Sequence, residues 1–333
     1  MTEAAPLRLR VREFRETDPG RSWRLLAGTL GLLACAWTLV FVLPWWPLRL
    51  GLALLVGGLL LRLCSFGHDY LHGAILARSQ PSRRSATDWA KLLFTGVGLL
   101  VLAPPRAWND THNYHHAHNG RLPGEPIGAF PLLTAAAWRE ASLAQRLVYR
   151  MARSPVAMLL AWPGLFVLGL NLRYFLKNPK RYISSGAALL LHGGVHALVW
   201  TQLGPLDWAL ALAVPYTVMS TAGAYLFYIQ HNFPGAVHHD HSRWDRRDAA
   251  LSASSYLGLP GWLHWFTGNI GYHHIHHYDA RVPFYRLPEA FAAVPEFTRT
   301  PDSSLRPRDV IRAFSLLIFD EQAGRMVAAR ELR

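Results

Sequence analysis

A chain of 333 residues with 51% hydrophobic residues, thirteen tryptophans and a mean hydropathy of +0.11 is too apolar for an ordinary soluble domain and fits a membrane-embedded protein. The formal net charge of +13 comes mostly from arginines scattered between apolar runs, without a basic stripe or a nucleic-acid motif, so no nucleic-acid partner is expected; positive flanks of membrane helices account for it. Two cysteines, Cys35 and Cys64, both inside apolar runs, exclude a disulfide framework.

In chain order, residues 1–24 form an Arg-rich polar arm expected to stay in the cytoplasm. Residues 25–43 read as a first span, Pro44-Trp45-Trp46-Pro47 as an interfacial turn, and residues 50–66 as the returning span, with Arg49 nearly the only positive charge on the far side. No secretory signal is evident; the first apolar run reads as an anchor. The second span is expected to continue as a helix through His68 and His72, because no breaker stands before Gly73 except the tolerable Gly67. After a basic loop (Arg78, Arg83, Arg84), residues 91–105 are too short to span comfortably and read as a re-entrant helix. Residues 106–150 are polar, aromatic and cytoplasmic in character. Residues 156–175, broken at Pro163-Gly164 and flanked by positive charge at both ends, read as re-entrant or interfacial. Residues 186–203 and 206–229 form a hairpin of spans through Gly204-Pro205. The domain expectation is therefore an arm (1–24), a membrane domain (25–290) and a cytoplasmic tail (291–333).

Three histidine clusters stand out. His68-Asp69-Tyr70-Leu71-His72 places two imidazoles at i and i+4 of one helical face. His112-Asn113-Tyr114-His115-His116 and His273-His274-Ile275-His276-His277 each carry an i, i+3, i+4 trio, with His274 rotated off the shared face. Counting crossings puts all three on the cytoplasmic side. Eight convergent neutral imidazoles are more than one metal ion uses and suit two. His192 and His196, inside a span, are expected to make contacts between helices; His118, His264 and His274 are out of register; His238, His239 and His241 read as a surface loop. Asp69, Asp110, Glu125 and Asp279 are candidates to hydrogen-bond the ligands from behind, since histidine-only ligation leaves metal charge uncompensated. Trp108, Tyr114 and Tyr272 read as interface anchors, and Gln230 and Asn269 as structural or ligand-binding amides.

The order HDYLH, HNYHH, HHIHH resembles the membrane fatty acid desaturase superfamily, whose boxes follow HxxxH or HxxxxH, HxxHH and HxxHH. The stretches Trp262–Tyr272 and Arg281–Leu287 around the last box, and Phe227–Phe233, look like bacterial acyl-lipid desaturases; the resemblance runs over residues 50–290. It departs at Pro234-Gly235, where relatives usually carry an acidic pair, and at Asp110, where close relatives often have another histidine.

The resemblance implies an all-α integral membrane bundle of about four spans with a cytoplasmic helical cap carrying a di-iron centre. It implies iron ligation by His68, His72, His112, His115, His116, His273, His276 and His277, with His231 as a ninth ligand. It also implies insertion of a double bond into a fatty acyl chain with O2 as co-substrate, in a bacterial inner membrane. No flavin, haem or iron–sulfur motif is present, so ferredoxin or cytochrome b5 with a reductase is implied as electron donor. Hydroxylation of a lipid, alkane or carotenoid is the alternative outcome of the same oxidant, and a zinc hydrolase or metal transporter the alternative from another class.

Overall fold

The computed structural model describes residues 6–76 and 84–332. Among them, four helices are long and apolar enough to cross a membrane: Pro19–Val42, Trp46–Leu71, Ile183–Leu203 and Pro205–His231. They cover the four apolar runs read as spans: the first starts earlier and ends at Val42, the second is longer at both ends, the third starts earlier, and the fourth nearly coincides with its run. The basic loop expected at Arg78 and Arg83 lies outside the described residues.

The first span begins inside the expected arm because Asp18 caps it, its Oδ1 accepting the Arg21 N–H at 2.8 Å, while Pro19 occupies the first turn where a missing N–H costs nothing. The second span runs to Leu71 and carries His68 to the end of the rod. It packs against Pro205–His231 at van der Waals distance. A Cβ on Gly57 would lie 2.6 Å from the Val218 Cβ, so glycine is what allows the two helices to approach. Leu59, Leu60, Leu63 and Phe66 of the second span are fully buried, each contributing roughly 1.5–3 kcal/mol of apolar burial, and Phe66 packs edge-on against Phe284 of the cap with ring centroids 4.9 Å apart.

The expected re-entrant segment is a helix, Arg84–Leu100, followed after a break by Pro105–His118 at a bend of 84°. Pro104-Pro105 ends the first helix, since proline neither donates to the ladder nor lets its predecessor stay helical. At the corner Leu102 takes φ +56°, and a Cβ on Gly98 would sit 2.8 Å from the Ala103 carbonyl oxygen. Asn171 holds the corner by donating to Leu102 O at 2.8 Å. The second histidine cluster is thereby turned away from the direction of the preceding helix. The expected interfacial segment is a short helix, Pro155–Leu159, a π-helical stretch, Trp162–Leu172, and a last turn, Arg173–Lys177; it is not among the candidate spans.

Strand pairs, which the helical periodicity gave no reason to expect, tie the cap together. Arg121–Leu122 pairs with His239–Asp240, Leu133–Thr134 with Ile318–Asp320, Ile318–Asp320 with Arg325–Val327, and Tyr256–Gly258 with Asp302–Ser304. Residues after 290 thus fold back onto the rest: strands join them to residues 133–134 and 256–258, and a helix, Pro307–Ser315, packs Ala313 with Leu226 and Leu257. The N-terminal arm is likewise engaged. Arg10 pairs with Glu296, Arg15 with Asp279, and the Asp18 N–H donates to the Tyr285 hydroxyl at 3.0 Å.

Candidate metal centre

Four separate segments bring nine histidines together. His68 and His72 close the second span; His112, His115 and His116 lie on the helix beyond the corner; His231 is the last residue of the fourth span; His273, His276 and His277 share the helix His273–Tyr278. Their nitrogens form two groups, within each of which the candidate ligand atoms lie no more than 4.8 Å apart: His68, His72, His112, His116 and His276 in one, His115, His231, His273 and His277 in the other.

The contacts inside the groups are nitrogen to nitrogen. His276 Nε2 lies 3.0 Å from His116 Nε2, which lies 3.0 Å from His112 Nε2. His231 Nε2 lies 2.9 Å from His273 Nε2, and His115 Nε2 3.2 Å from both His231 and His277 Nε2. His68 and His72 Nε2 are buried with no hydrogen-bond partner among the described residues. Burying imidazole nitrogens against one another costs free energy unless a cation sits between them. The donor set therefore fits metal ions.

The outer nitrogens fix which atom faces inward. His231 Nδ1 lies 2.9 Å from the Ala253 carbonyl, which can only accept, so Nδ1 carries the proton and the Nε2 lone pair points into the group. His68 Nδ1 lies 3.1 Å from Asp69 Oδ1, with the same consequence. Asp69 is itself held, its Oδ2 accepting the Phe284 N–H at 2.6 Å. Burial, followed by repulsion from neighbouring imidazoles, holds His112, His115, His116, His273, His276 and His277 well below the ordinary imidazole range. His72 is pushed down to about 2 by burial, then by His68 and Arg246. All seven stay neutral at physiological pH, the form that binds metal.

Of the four carboxylates named from the sequence, only Asp69 hydrogen-bonds a histidine of the groups. Asp110 pairs with Arg106 and Arg181 and accepts from the Tyr182 hydroxyl, because its position two residues before His112 turns it off the inward face. Asp279 binds Arg15 and Arg281 instead, and Glu125 is exposed. Trp108, read as an interface anchor, stacks on His112 with ring centroids 5.3 Å apart; its i, i+4 spacing was the available signal. Gln230 and Asn269 donate to the Ile270 and Phe284 carbonyls.

The remaining histidines divide. His192 Nε2 bonds the Leu99 carbonyl at 3.0 Å and His196 Nδ1 accepts from Trp208 Nε1, contacts between helices as expected. His274 is fully buried against Phe291 and Phe297, His264 stacks on Tyr272, and His118 bonds the Tyr114 carbonyl. The surface-loop expectation holds for exposed His241 and fails for His238, whose ring packs on Phe319 at 5.1 Å. The reason is that His239 N–H donates to the Gly120 carbonyl at 2.8 Å, pinning this segment beside the second cluster. His238 lines a cavity of about 90 Å³ together with Phe130, Phe227, His115 and His231, which opens onto the four-nitrogen group.

The sequence pattern of the family described as fatty acid desaturase matches residues 44–308. The chain is 27% identical over 298 residues to a fatty acid desaturase of Bacillus subtilis, covering 86% of this chain and 79% of that one. It is 23% identical over 293 residues to an sn-1 oleoyl-lipid 12-desaturase of Synechocystis sp., with the same coverage of each. To a chloroplastic omega-3 fatty acid desaturase of Glycine max it is 26% identical over 348 residues, covering 93% and 70%. Because the family match spans most of the sequence and encloses both histidine groups, the chain belongs to the fatty acid desaturase family.

Proposed function

We propose that this membrane-embedded, desaturase-type oxidoreductase inserts a double bond into the acyl chain of a membrane lipid, with its two irons held by His68, His72, His112, His116 and His276 on one side and His115, His231, His273 and His277 on the other. The observation that carries this reading is the gathering of nine imidazoles, seven buried and two half-buried (His72 and His231), whose inner nitrogens face one another. When bound, iron supplies the oxygen-activating redox chemistry that an unactivated C–H bond requires and that zinc does not. The chain's own residues orient and exclude. Asp69 and the Ala253 carbonyl set the tautomers of His68 and His231, Trp108 fixes the ring plane of His112, and burial keeps bulk water from the oxidant. Overall, two hydrogens leave the acyl chain, a double bond forms, and O2 with two electrons and two protons from outside becomes two waters.

We infer that the centre faces the cytoplasm of a bacterial inner membrane, and that ferredoxin or cytochrome b5 with its reductase delivers the electrons. Arg139, Arg146, Lys177, Lys180 and Arg181 lie in the segments on the histidine side, whereas Arg49 on the far side is neutralised by Asp207, the asymmetry of the positive-inside rule. Reporter tags at residue 130 or at the C terminus should read cytoplasmic, and tags at Trp46 or Pro205 the opposite. The function itself is tested by expression in a host lacking the activity, with the fatty acids profiled and any new double bond located. A hydroxylated product, or no product from protein carrying two irons and supplied with electrons, would overturn the reading.

A further inference from the structure

The helix Leu143–Ala152 is oriented the wrong way for a helix facing water. Its buried side carries Tyr149, whose hydroxyl donates to the Leu317 carbonyl, and Arg146, which bonds the Trp138 and Arg139 carbonyls at 3.0 Å. Its outer side presents Leu143 (83% exposed), Leu147, Val148 (69% exposed) and Met151, a stripe at i, i+4, i+5 and i+8. The stripe continues into Val156, Leu159 and Leu160, exposed on the segment that leads into the apolar stretch Trp162–Leu172. An exposed apolar stripe that runs on from a cap helix towards an apolar segment is the kind of surface that lies against a bilayer surface.

Beside this stripe is a groove of about 510 Å³. Arg139, Arg146, Arg150 and Arg330 line it around the Trp138 ring, over which the Arg146 and Arg150 guanidinium groups sit at 5.1 and 5.3 Å from the centroid. Among the described residues none of these four arginines is paired with a carboxylate; the ion pair closest in sequence joins Arg325 to Glu331 instead. Glu331 offsets part of the charge of Arg330, and Arg146 spends two of its donors on backbone carbonyls, so the groove keeps a net positive charge centred on Arg139 and Arg150 that is complementary to a phosphate, whose oxygens match the guanidinium fork. The apolar rim says where that phosphate comes from: Leu143 and Leu147, both exposed, border the groove, and a phosphate site rimmed by exposed leucines suits a headgroup that carries acyl chains.

We propose that this groove is a binding site for the phosphodiester headgroup of an anionic phospholipid, with the lipid's acyl chains lying along Leu143, Leu147 and Met151. It is separate from the histidine groups and does not depend on which reaction they carry out. Through the same helix it reaches them: Arg153, which follows the helix, donates to Asn232 Oδ1 at 2.7 Å, next to His231. An occupied groove therefore holds the element that buttresses the end of the fourth span.

The test uses the full-length, iron-loaded protein in a neutral detergent, with lipid retained after washing measured by native mass spectrometry. Phosphatidylglycerol should be retained in preference to phosphatidylcholine. Replacing the three exposed arginines together (Arg139→Gln, Arg150→Gln, Arg330→Gln) should weaken that retention about a hundredfold, from the contribution of each basic residue near an anionic lipid. The triple Lys variant should keep most of it, and Leu147→Gln with Val148→Gln, which leaves every arginine in place, should weaken it as well. An unchanged unfolding temperature in phosphatidylcholine shows that the Gln variant is folded. Equal phosphatidylglycerol retention by the parent and the Gln variant would overturn the proposal. So would displacement of the lipid by inorganic phosphate or glycerol phosphate at matching concentration, since the site would then take a soluble anion.

Discussion

Asp69→Asn removes one charge and no volume, which makes it a clean probe of how the centre is held. The carboxylate accepts two hydrogen bonds at once, from His68 Nδ1 at 3.1 Å and from the Phe284 N–H at 2.6 Å. Asparagine has one acceptor oxygen and one donor NH2 in the same space. If the oxygen stays with Phe284, the NH2 faces His68 Nδ1, the proton moves to Nε2, and an N–H points where a lone pair is needed. The loss is then in metal affinity, about 10- to 100-fold for a group that orients a ligand, equivalent to about 1.4–2.7 kcal/mol. If the oxygen stays with His68, two buried donors face each other at Phe284 and the cost of about 1–3 kcal/mol appears in folding stability. Either way the variant differs from the parent in one of two measurements: iron retained against a chelator series, or unfolding temperature of the iron-loaded protein. An Asp69→Asn enzyme that keeps both irons as tightly as the parent and unfolds at the same temperature would refute the tautomer argument.

His231→Ala should abolish turnover and release iron, whereas His192→Ala, which loses only a bond to the Leu99 carbonyl, should leave iron content intact; equal behaviour of the two in a metal assay would sink the assignment. Arg15→Asp should cost about 1–3 kcal/mol of unfolding stability, because Asp279 is nearly buried and would lose one of its two arginines. Adding Asp279→Asn, which removes the like charge and keeps an acceptor for the Arg281 N–H, should restore part of it. His274, pushed down to about 3 by burial, stays neutral in the folded protein while the unfolded chain takes up a proton below pH 6.5. Stability therefore falls as pH drops from 6.5 towards 3, by about 1.4 kcal/mol per unit for this group. His274→Asn should flatten the acid limb by that amount in unfolding curves measured at several pH values.

What was legible in the sequence was whatever local periodicity encodes. The four spans follow from apolar run lengths, and the face shared by His273, His276 and His277 follows from their i, i+3, i+4 spacing. Legibility stopped where the partner is distant or is backbone. The acceptor behind His231 is the Ala253 carbonyl, which any residue could supply, so no side chain announces it. The engagement of Arg10 and Arg15 with Glu296 and Asp279 joins residues more than 260 positions apart, and the resulting clamp of the N-terminal arm on the third cluster has no local signature. Asp110 shows the opposite error. A carboxylate two residues before a ligand is close in sequence but about 200° around the helix, so it turns away to Arg181.

The trio spacing carries more than convergence. In a helix, residues i and i+4 are about 40° apart, while i+3 lies about 60° to the other side of i. The i, i+4 pair His112 and His116 therefore serves the five-nitrogen group, and His115 the other. In the third cluster the roles exchange, with the pair His273 and His277 in the four-nitrogen group and His276 in the five. Each helix feeds both groups, so in the ligand assignment proposed above the separation of the two irons is set by helix geometry rather than by any loop. The exchange leaves each group with three nitrogens from the two trios. His68 and His72 complete one with two more; His231 alone completes the other. In that assignment the group completed by a single histidine would leave its iron the more open coordination, and it is this group whose His115 and His231 border the cavity lined by Phe130, Phe227 and His238. An exogenous small ligand such as O2 or azide should accordingly meet the iron on the His231 side, and Phe130→Trp, which narrows that cavity from a ring that packs on Phe227 and Tyr228 and not on a histidine, should slow azide binding while leaving iron content unchanged. Azide binding at the parental rate in Phe130→Trp would show that access lies on the His68 side.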